Sequence, residues 1–151
     1  MKKIKLGDIF EINTPKGKAY LHYVHDARII GSLVRVLIGL HLERPINFDD
    51  IAASKERYSV FFPLSVANKR GIVEKVGYYP VNDFIKPKYM RTKHNVRGES
   101  LGWHIVDTDT WHMQLVKTLT SEQKMFSPWG VWNDTLLVEN LTNGWSLEKW
   151  D

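Results

Sequence analysis

Cysteine is absent from this sequence of 151 residues, which excludes disulfide bonds, thiolate metal ligands and a cysteine nucleophile. A long apolar run is also missing, because the most apolar stretch, residues 29–42, is too short to span a bilayer and contains Arg35 and His41. Residues 1–10 contain no long apolar segment with a small-residue cleavage site, so we expect no signal peptide. These absences predict a cytoplasmic protein with no membrane role.

The motifs of common enzymes are missing as well. The chain contains no Gly-x-Ser-x-Gly elbow, no phosphate-binding glycine-rich loop, no His-Glu-x-x-His and no Gly-x-Gly-x-x-Gly. A metal site needs three or four converging ligands, and the six histidines do not provide such a set. We expect a protein that is not an enzyme, with no metal and no cofactor. A small hydrolase that uses His104 or His112 is an open alternative.

The composition is that of an ordinary folded domain. Hydrophobic residues make up 43% of the chain and charged residues 25%, which fits neither a disordered protein nor a membrane protein. A chain of this size buries about 70% of its unfolded surface when it folds. No repeat or linker divides the sequence, and we predict a single domain over residues 1–151.

Alternating side chains in the first half predict mostly strands. A β-hairpin is expected from residues 5–12 and 19–25, joined by turn-forming residues at 13–17. Further extended segments are predicted at 32–40, which we place centrally in its sheet, and at 58–62 and 72–79. Two short helical segments are predicted at 45–53, with Asn47 as the N-cap, and at 63–71, closed by Gly71.

The second half is less regular. Residues 81–100 have no clean period, and we predict a long surface loop there. A second hairpin is predicted from residues 101–106 and 110–116, with a three-residue loop that places His104 opposite His112. A helical turn at 121–125 and an amphipathic helix at 133–141 follow. These elements predict a mainly β (α+β) fold, either a strongly bent antiparallel sheet or a small barrel, with short helices and a C-terminal helical segment.

Two features of the sequence suggest a surface for a partner. The formal net charge is +4, and residues 86–97 contain five basic and no acidic residues. All six tryptophans lie between residues 103 and 150, where some could anchor an interface. A C-terminal tail that folds back and buries them is the slightly favoured interpretation. The residues predicted to contact a partner are Lys86, Lys88, Tyr89, Arg91, Lys93, Arg97, Trp129 and Trp132.

Several segments resemble the immunity protein 26 family of bacterial polymorphic-toxin systems. The opening Lys-Leu-Gly-Asp-Ile-Phe-Glu-Ile at residues 5–12 is similar to that family, and further landmarks follow in the same order at residues 17–24, 31–37, 61–64 and 73–77. The resemblance implies a cytosolic protein that binds and neutralises a cognate toxin and has no catalytic residues. An inhibitor of a basic nuclease would be acidic, whereas this chain is basic, which argues against a nuclease as the partner.

Nucleic-acid binding is the alternative function. The basic segment at residues 86–97, with Tyr89 among its cations, could follow a phosphate backbone and stack on a base. Most runs of charge are simply solvated, however, and an acidic protein would fit the same segment. We therefore expect a protein partner first and a nucleic acid second.

Overall fold

The computed structural model describes residues 3–150, which form two antiparallel sheets of five and three strands. The strands are β1 (Asp8–Thr14), β2 (Gly17–Ala27), β3 (Gly31–Val36), β4 (Tyr58–Phe62), β5 (Val73–Tyr78), β6 (Tyr89–Val96), β7 (Glu99–Asp107) and β8 (Met113–Val116). The helices are α1 (Asp49–Ala53), α2 (Leu64–Lys69) and α3 (Asp134–Thr142), and a single 3₁₀ turn covers Gln123–Met125. The predicted mainly β fold is confirmed, and neither sheet of the described residues closes into a barrel.

The five-stranded sheet has the order β4-β3-β2-β1-β5. Its predicted N-terminal hairpin is confirmed, because β1 and β2 pair from Ile9 opposite His22 to Thr14 opposite Gly17. β3 lies between β2 and β4, so it has a neighbour on both sides as predicted. Its regular pairing ends at Val36 and not at residue 40, and Gly39, with a φ of 85°, lies in an irregular stretch before His41 rejoins β2 through an isolated bridge to Lys18.

The short helices lie where the sequence predicts them, but the N-cap of α1 differs from the prediction. Phe48, and not Asn47, is the N-cap of α1, and the Asn47 side chain accepts the Asp49 N–H at 2.7 Å in a turn that precedes the helix. α2 is followed by Gly71 at a φ of 71°, which confirms the predicted stop. The C-terminal helical segment is confirmed as α3, and Asn133 caps it by accepting the Leu136 N–H at 2.8 Å.

The predicted long loop at residues 81–100 is wrong. β6 occupies the second half of that range and pairs with β7 across a turn at Arg97 and Gly98. A register shift between Lys93 and Asn95 interrupts the pairing. Such a bulge breaks the two-residue alternation by which a strand is detected in a sequence. The irregular connection is therefore confined to residues 79–88.

The predicted register of the second hairpin is also wrong. His104 lies opposite Leu115 and not opposite His112. The connection is longer than three residues and contains Trp111 at a φ of 65°. Because the loop uses more of the chain, β8 begins only at Met113, and its partners on β7 shift accordingly.

One irregular segment, residues 127–132, connects the two sheets. The Trp129 N–H donates to the Arg91 carbonyl on β6 at 2.7 Å, and the Trp132 N–H donates to the Phe61 carbonyl on β4 at 2.9 Å. The segment thus runs along an outer edge of each sheet. Next to it, Phe61 and Met90 belong to one apolar cluster, so the two sheets share part of their core.

Candidate functional site

A wide groove of about 1370 Å³ crosses the surface of the described residues. Four separate parts of the chain line it: residues 52–59 around the start of β4, residues 79–89 before β6, residues 122–127 and residues 146–148. Its charged side chains are of both signs. Since the groove forms only where these distant segments meet, no local motif in the sequence could indicate it.

His22 lies against the groove, and both of its ring nitrogens are engaged. An Arg35 guanidinium nitrogen lies 2.9 Å from His22 Nδ1, and the Tyr79 carbonyl oxygen lies 2.7 Å from Nε2. A guanidinium only donates and a carbonyl only accepts, so the ring is neutral and carries its proton on Nε2. Burial lowers the pKa of His22, and the positive charge of Arg35 lowers it further, against the opposing hydrogen bond to Tyr79. His22 therefore has no free lone pair for general base catalysis.

Arg35 holds one wall of the groove in place. Besides His22, it donates to the Glu56 carboxylate at 2.8 Å and to the carbonyl oxygens of Ala52 and Ser54 at 2.9 and 2.7 Å. These bonds attach α1 and the segment that follows it to β3, which carries Arg35. No pattern in the sequence indicates this cluster, because its members are far apart in the chain and belong to no motif.

Two of the predicted partner-contacting lysines are engaged within the protein. Lys86 lies 2.8 Å from Asp109, and Lys88 lies 3.0 Å from both Asp107 and Asp109. Hydrogen bonds from Lys86 and then Lys88 lower the pKa of Asp109, while the pKa of Asp107 is lowered first by the backbone N–H of Asp109 and then by Lys88. Local carboxylates thus offset the positive charge at this end of the basic segment.

Arg91 is 0% exposed, so in this fold its side chain does not reach the surface at which its predicted contact with a partner would lie. Its guanidinium lies 4.8 Å from the centre of the Trp103 ring and 4.5 Å from that of Trp150. It also donates at 2.7–3.1 Å to four carbonyl oxygens, those of Lys124, Phe126, Leu147 and Trp150. Arg91 therefore fastens the C-terminal tail to the smaller sheet.

The remaining members of the basic segment lie at or near the surface. Lys93 is partly exposed beside the Trp103 ring, and Arg97 is exposed in the turn between β6 and β7. Tyr89 is exposed, lines the groove with Lys88, and stacks on Phe126 with ring centres 5.8 Å apart. The structure thus brings only Lys88 and Tyr89 of the predicted set to the groove.

The tryptophans mostly serve the core. Trp132, which was predicted to contact a partner, is 8% exposed and packs in the core against the rings of Tyr58 and Trp145. Trp129 is partly buried against Phe61. Trp111, about half-exposed, is the most accessible of the described tryptophans, and sequence analysis placed it inside a strand. For Trp132, a C-terminal tail that folds back and buries its tryptophans is thus a better interpretation than exposure at an interface.

No group of three or more potential metal ligands occurs among the described residues. His94 and His104 have ring centres 4.4 Å apart, but two ligands do not make a structural metal site. Within residues 3–150 there is also no helix with the length and apolar character that crossing a membrane requires.

Comparison with known proteins gave no match to a family model, to a curated protein or to a solved structure. The resemblance to the immunity protein 26 family therefore rests on the sequence segments given above.

Proposed function

We propose that the protein is a non-catalytic cytoplasmic binding protein that neutralises a cognate bacterial toxin by occluding it. The observation that carries the proposal is the character of the groove. Its exposed side chains include Ile85, Tyr89 and Met125, which are large and apolar or aromatic. Side chains of this kind dominate the binding energy of protein interfaces.

Two titratable groups that line the groove, His22 and Glu56, are already engaged within the protein. An acid–base catalyst needs a titratable group that can exchange a proton with a substrate. His22 uses both nitrogens inside the protein, and Glu56 accepts a hydrogen bond from Arg35. The resemblance to immunity proteins adds the nature of the partner, a cognate toxin.

Nucleic-acid binding has weaker support as an alternative. A protein that follows a phosphate backbone needs several cations free to release counterions. Of the five cations in residues 86–97, Arg91 is buried, and Lys86 and Lys88 pair with Asp107 and Asp109. An interaction carried by the two others would be weak, and its affinity would fall only modestly as salt is raised, because the salt dependence scales with the number of phosphate contacts.

Co-expression tests the proposal directly. The protein would be produced together with each candidate toxin encoded beside its gene, and cell survival and co-purification would be measured. We expect one toxin to be neutralised and to co-purify in a stable complex. Failure of every neighbouring toxin to bind, combined with a salt-dependent gel shift of nucleic acid, would reject the proposal in favour of the alternative.

Two double variants test whether the partner binds at the groove. Tyr89→Ala combined with Met125→Ala removes two exposed groove side chains and should weaken the complex by roughly tenfold or more, as loss of interface anchors does. The matched control is Ile29→Ala combined with Leu42→Ala, two exposed apolar side chains that do not line the groove. Equal affinity of both double variants, measured by calorimetry, would place the interface elsewhere.

A further inference from the structure

β8 forms an open edge of the smaller sheet. It pairs with β7 on one side, and no backbone hydrogen bond of the described residues reaches its other side. The opposite edge, β6, is covered by residues 127–129. Edge strands of soluble proteins are usually protected by charge, proline, a bulge or a covering segment. β8 has the sequence Met-Gln-Leu-Val, without charge or proline, and only its short length of four residues limits pairing with another strand.

The open edge of the larger sheet differs in this respect. β5 carries Glu74 and Lys75, which form ion pairs with Arg44 and Asp8. Charged side chains on an edge strand disfavour pairing with another chain. β8 is therefore the edge of this protein that is best suited to accept a further strand.

The backbone of β8 offers its unpaired groups at alternate residues. The Asp107 N–H donates to the His112 carbonyl at 2.9 Å, and antiparallel alternation then turns the backbone groups of Gln114 and Val116 towards β7. The N–H and C=O of Met113 and Leu115 consequently point outward. Both side chains are about half-exposed, with Leu115 at 52%.

We propose that β8 pairs antiparallel with β8 of a second copy of this chain, about a two-fold axis at Gln114, so that two three-stranded sheets become one of six strands. In this register Met113 of each copy lies opposite Leu115 of the other. Their outward backbone groups form hydrogen bonds, and their side chains meet on one face. The two Gln114 side chains meet on the opposite face, where their amides can hydrogen bond.

The edge is self-complementary, as a two-fold interface requires. From Trp111 to Val116 the chain has no acidic residue, lysine or arginine, so two copies meet without repulsion between such charges at the contact. The contact is small, however. Stable interfaces bury about 1,600 Å² in total, and pairing of two four-residue strands covers much less. The dimer is therefore weak and forms reversibly as the concentration rises.

Sedimentation velocity over a wide range of concentrations tests this dimer. The average mass should rise from 17.6 kDa towards twice that value as the protein is concentrated. Leu115→Lys puts a charge on the open edge and should raise the dissociation constant at least tenfold. Ile29→Lys is the matched control, because it adds the same charge at an 83% exposed position in the turn between β2 and β3, and it should leave association unchanged.

Hydrogen exchange supplies a second measurement that needs no variant. The amides of Met113 and Leu115 should exchange more slowly in concentrated than in dilute wild-type protein, whereas exposed turn amides such as that of Gly98 should not change. A monomer at every concentration would overturn the proposal and leave the edge to a strand of a different protein. Association of Leu115→Lys that equals that of the wild type would overturn it as well.

Discussion

The buried carboxylate of Glu11 shows how this protein stabilises a charge in its interior. Its carboxylate is buried on β1 and accepts hydrogen bonds from the Tyr20 hydroxyl at 3.0 Å, from Arg44 at 2.9 and 3.1 Å and from Lys18 at 3.3 Å. The Arg44 bonds are the largest cause that lowers the pKa of Glu11, to about 2, even though burial acts in the opposite direction. Glu11 therefore stabilises the fold only in its ionised form.

This pKa predicts a specific loss of stability in acid. Because the folded-state pKa is below the ordinary value of 4.5, the stabilisation is complete above about pH 4.5 and disappears as the pH falls through 2. In urea titrations, the difference in unfolding free energy between wild type and Glu11→Gln should shrink by about 2 kcal/mol from pH 7 to pH 3. The exposed Glu99, changed to Gln, is the control. A difference that does not depend on pH would contradict the assigned ionic role.

At the scale of elements, the strands of the smaller sheet depend on one close approach of backbones. Gly102 on β7 has a φ of 112°, and a Cβ atom there would overlap the Val116 carbonyl oxygen of β8. The neighbouring register shift on β6 lies between Lys93 and Asn95. A glycine at this position therefore permits both the irregular pairing with β6 and the contact with β8.

Replacement of this glycine should weaken the smaller sheet. Gly102→Ala combines an unfavourable φ with a steric overlap, and we expect it to lower the free energy of unfolding by about 3 kcal/mol. Gly98→Ala is the matched control, because Gly98 also has a positive φ, 81°, but no atom lies near its missing Cβ; it should cost about 1 kcal/mol. Equal losses in chemical denaturation would show that the overlap with β8 is relieved at little cost.

Element by element, the five strands of the larger sheet could be predicted because their apolar residues alternate or run continuously. β4 was predicted with its observed bounds, Tyr58–Phe62. β6 could not be predicted, since it carries Lys93 and His94 next to a bulge and owes its stability to neighbours on both sides. The same neighbours explain the burial of Arg91, which sequence analysis treated as part of a surface.

At the scale of the whole molecule, residues 127–132 and the C-terminal tail couple the two sheets. The segment pairs with β6 and β4, and Arg91 binds carbonyl groups of both Phe126 and Leu147. Separation of the sheets would expose these buried polar groups together with the shared apolar cluster around Phe61 and Met90. We therefore expect the sheets to unfold together.

Two spectroscopic probes can test this cooperativity. All six tryptophans lie between residues 103 and 150, so tryptophan emission reports on the C-terminal third of the chain, including the packing of Trp129 and Trp132 against β4, whereas the larger sheet dominates far-ultraviolet circular dichroism. In a reversible urea titration the two signals should give the same midpoint and the same slope. An earlier transition in emission alone would mean that the C-terminal third of the chain unfolds before the larger sheet and would contradict this expectation.

The sequence by itself determined the β-rich class, the N-terminal hairpin, the helix ends at Gly71 and Asn133 and the lack of thiol chemistry, because these depend on local alternation, capping and composition. Only the tertiary structure decided the groove, the saturation of His22 and Arg35, the burial of Arg91 and the open edge at β8. Each of these results from contacts between segments that are far apart in the chain. A side chain's exposure and the partners of its polar atoms are set by packing, and the type of residue alone does not specify them.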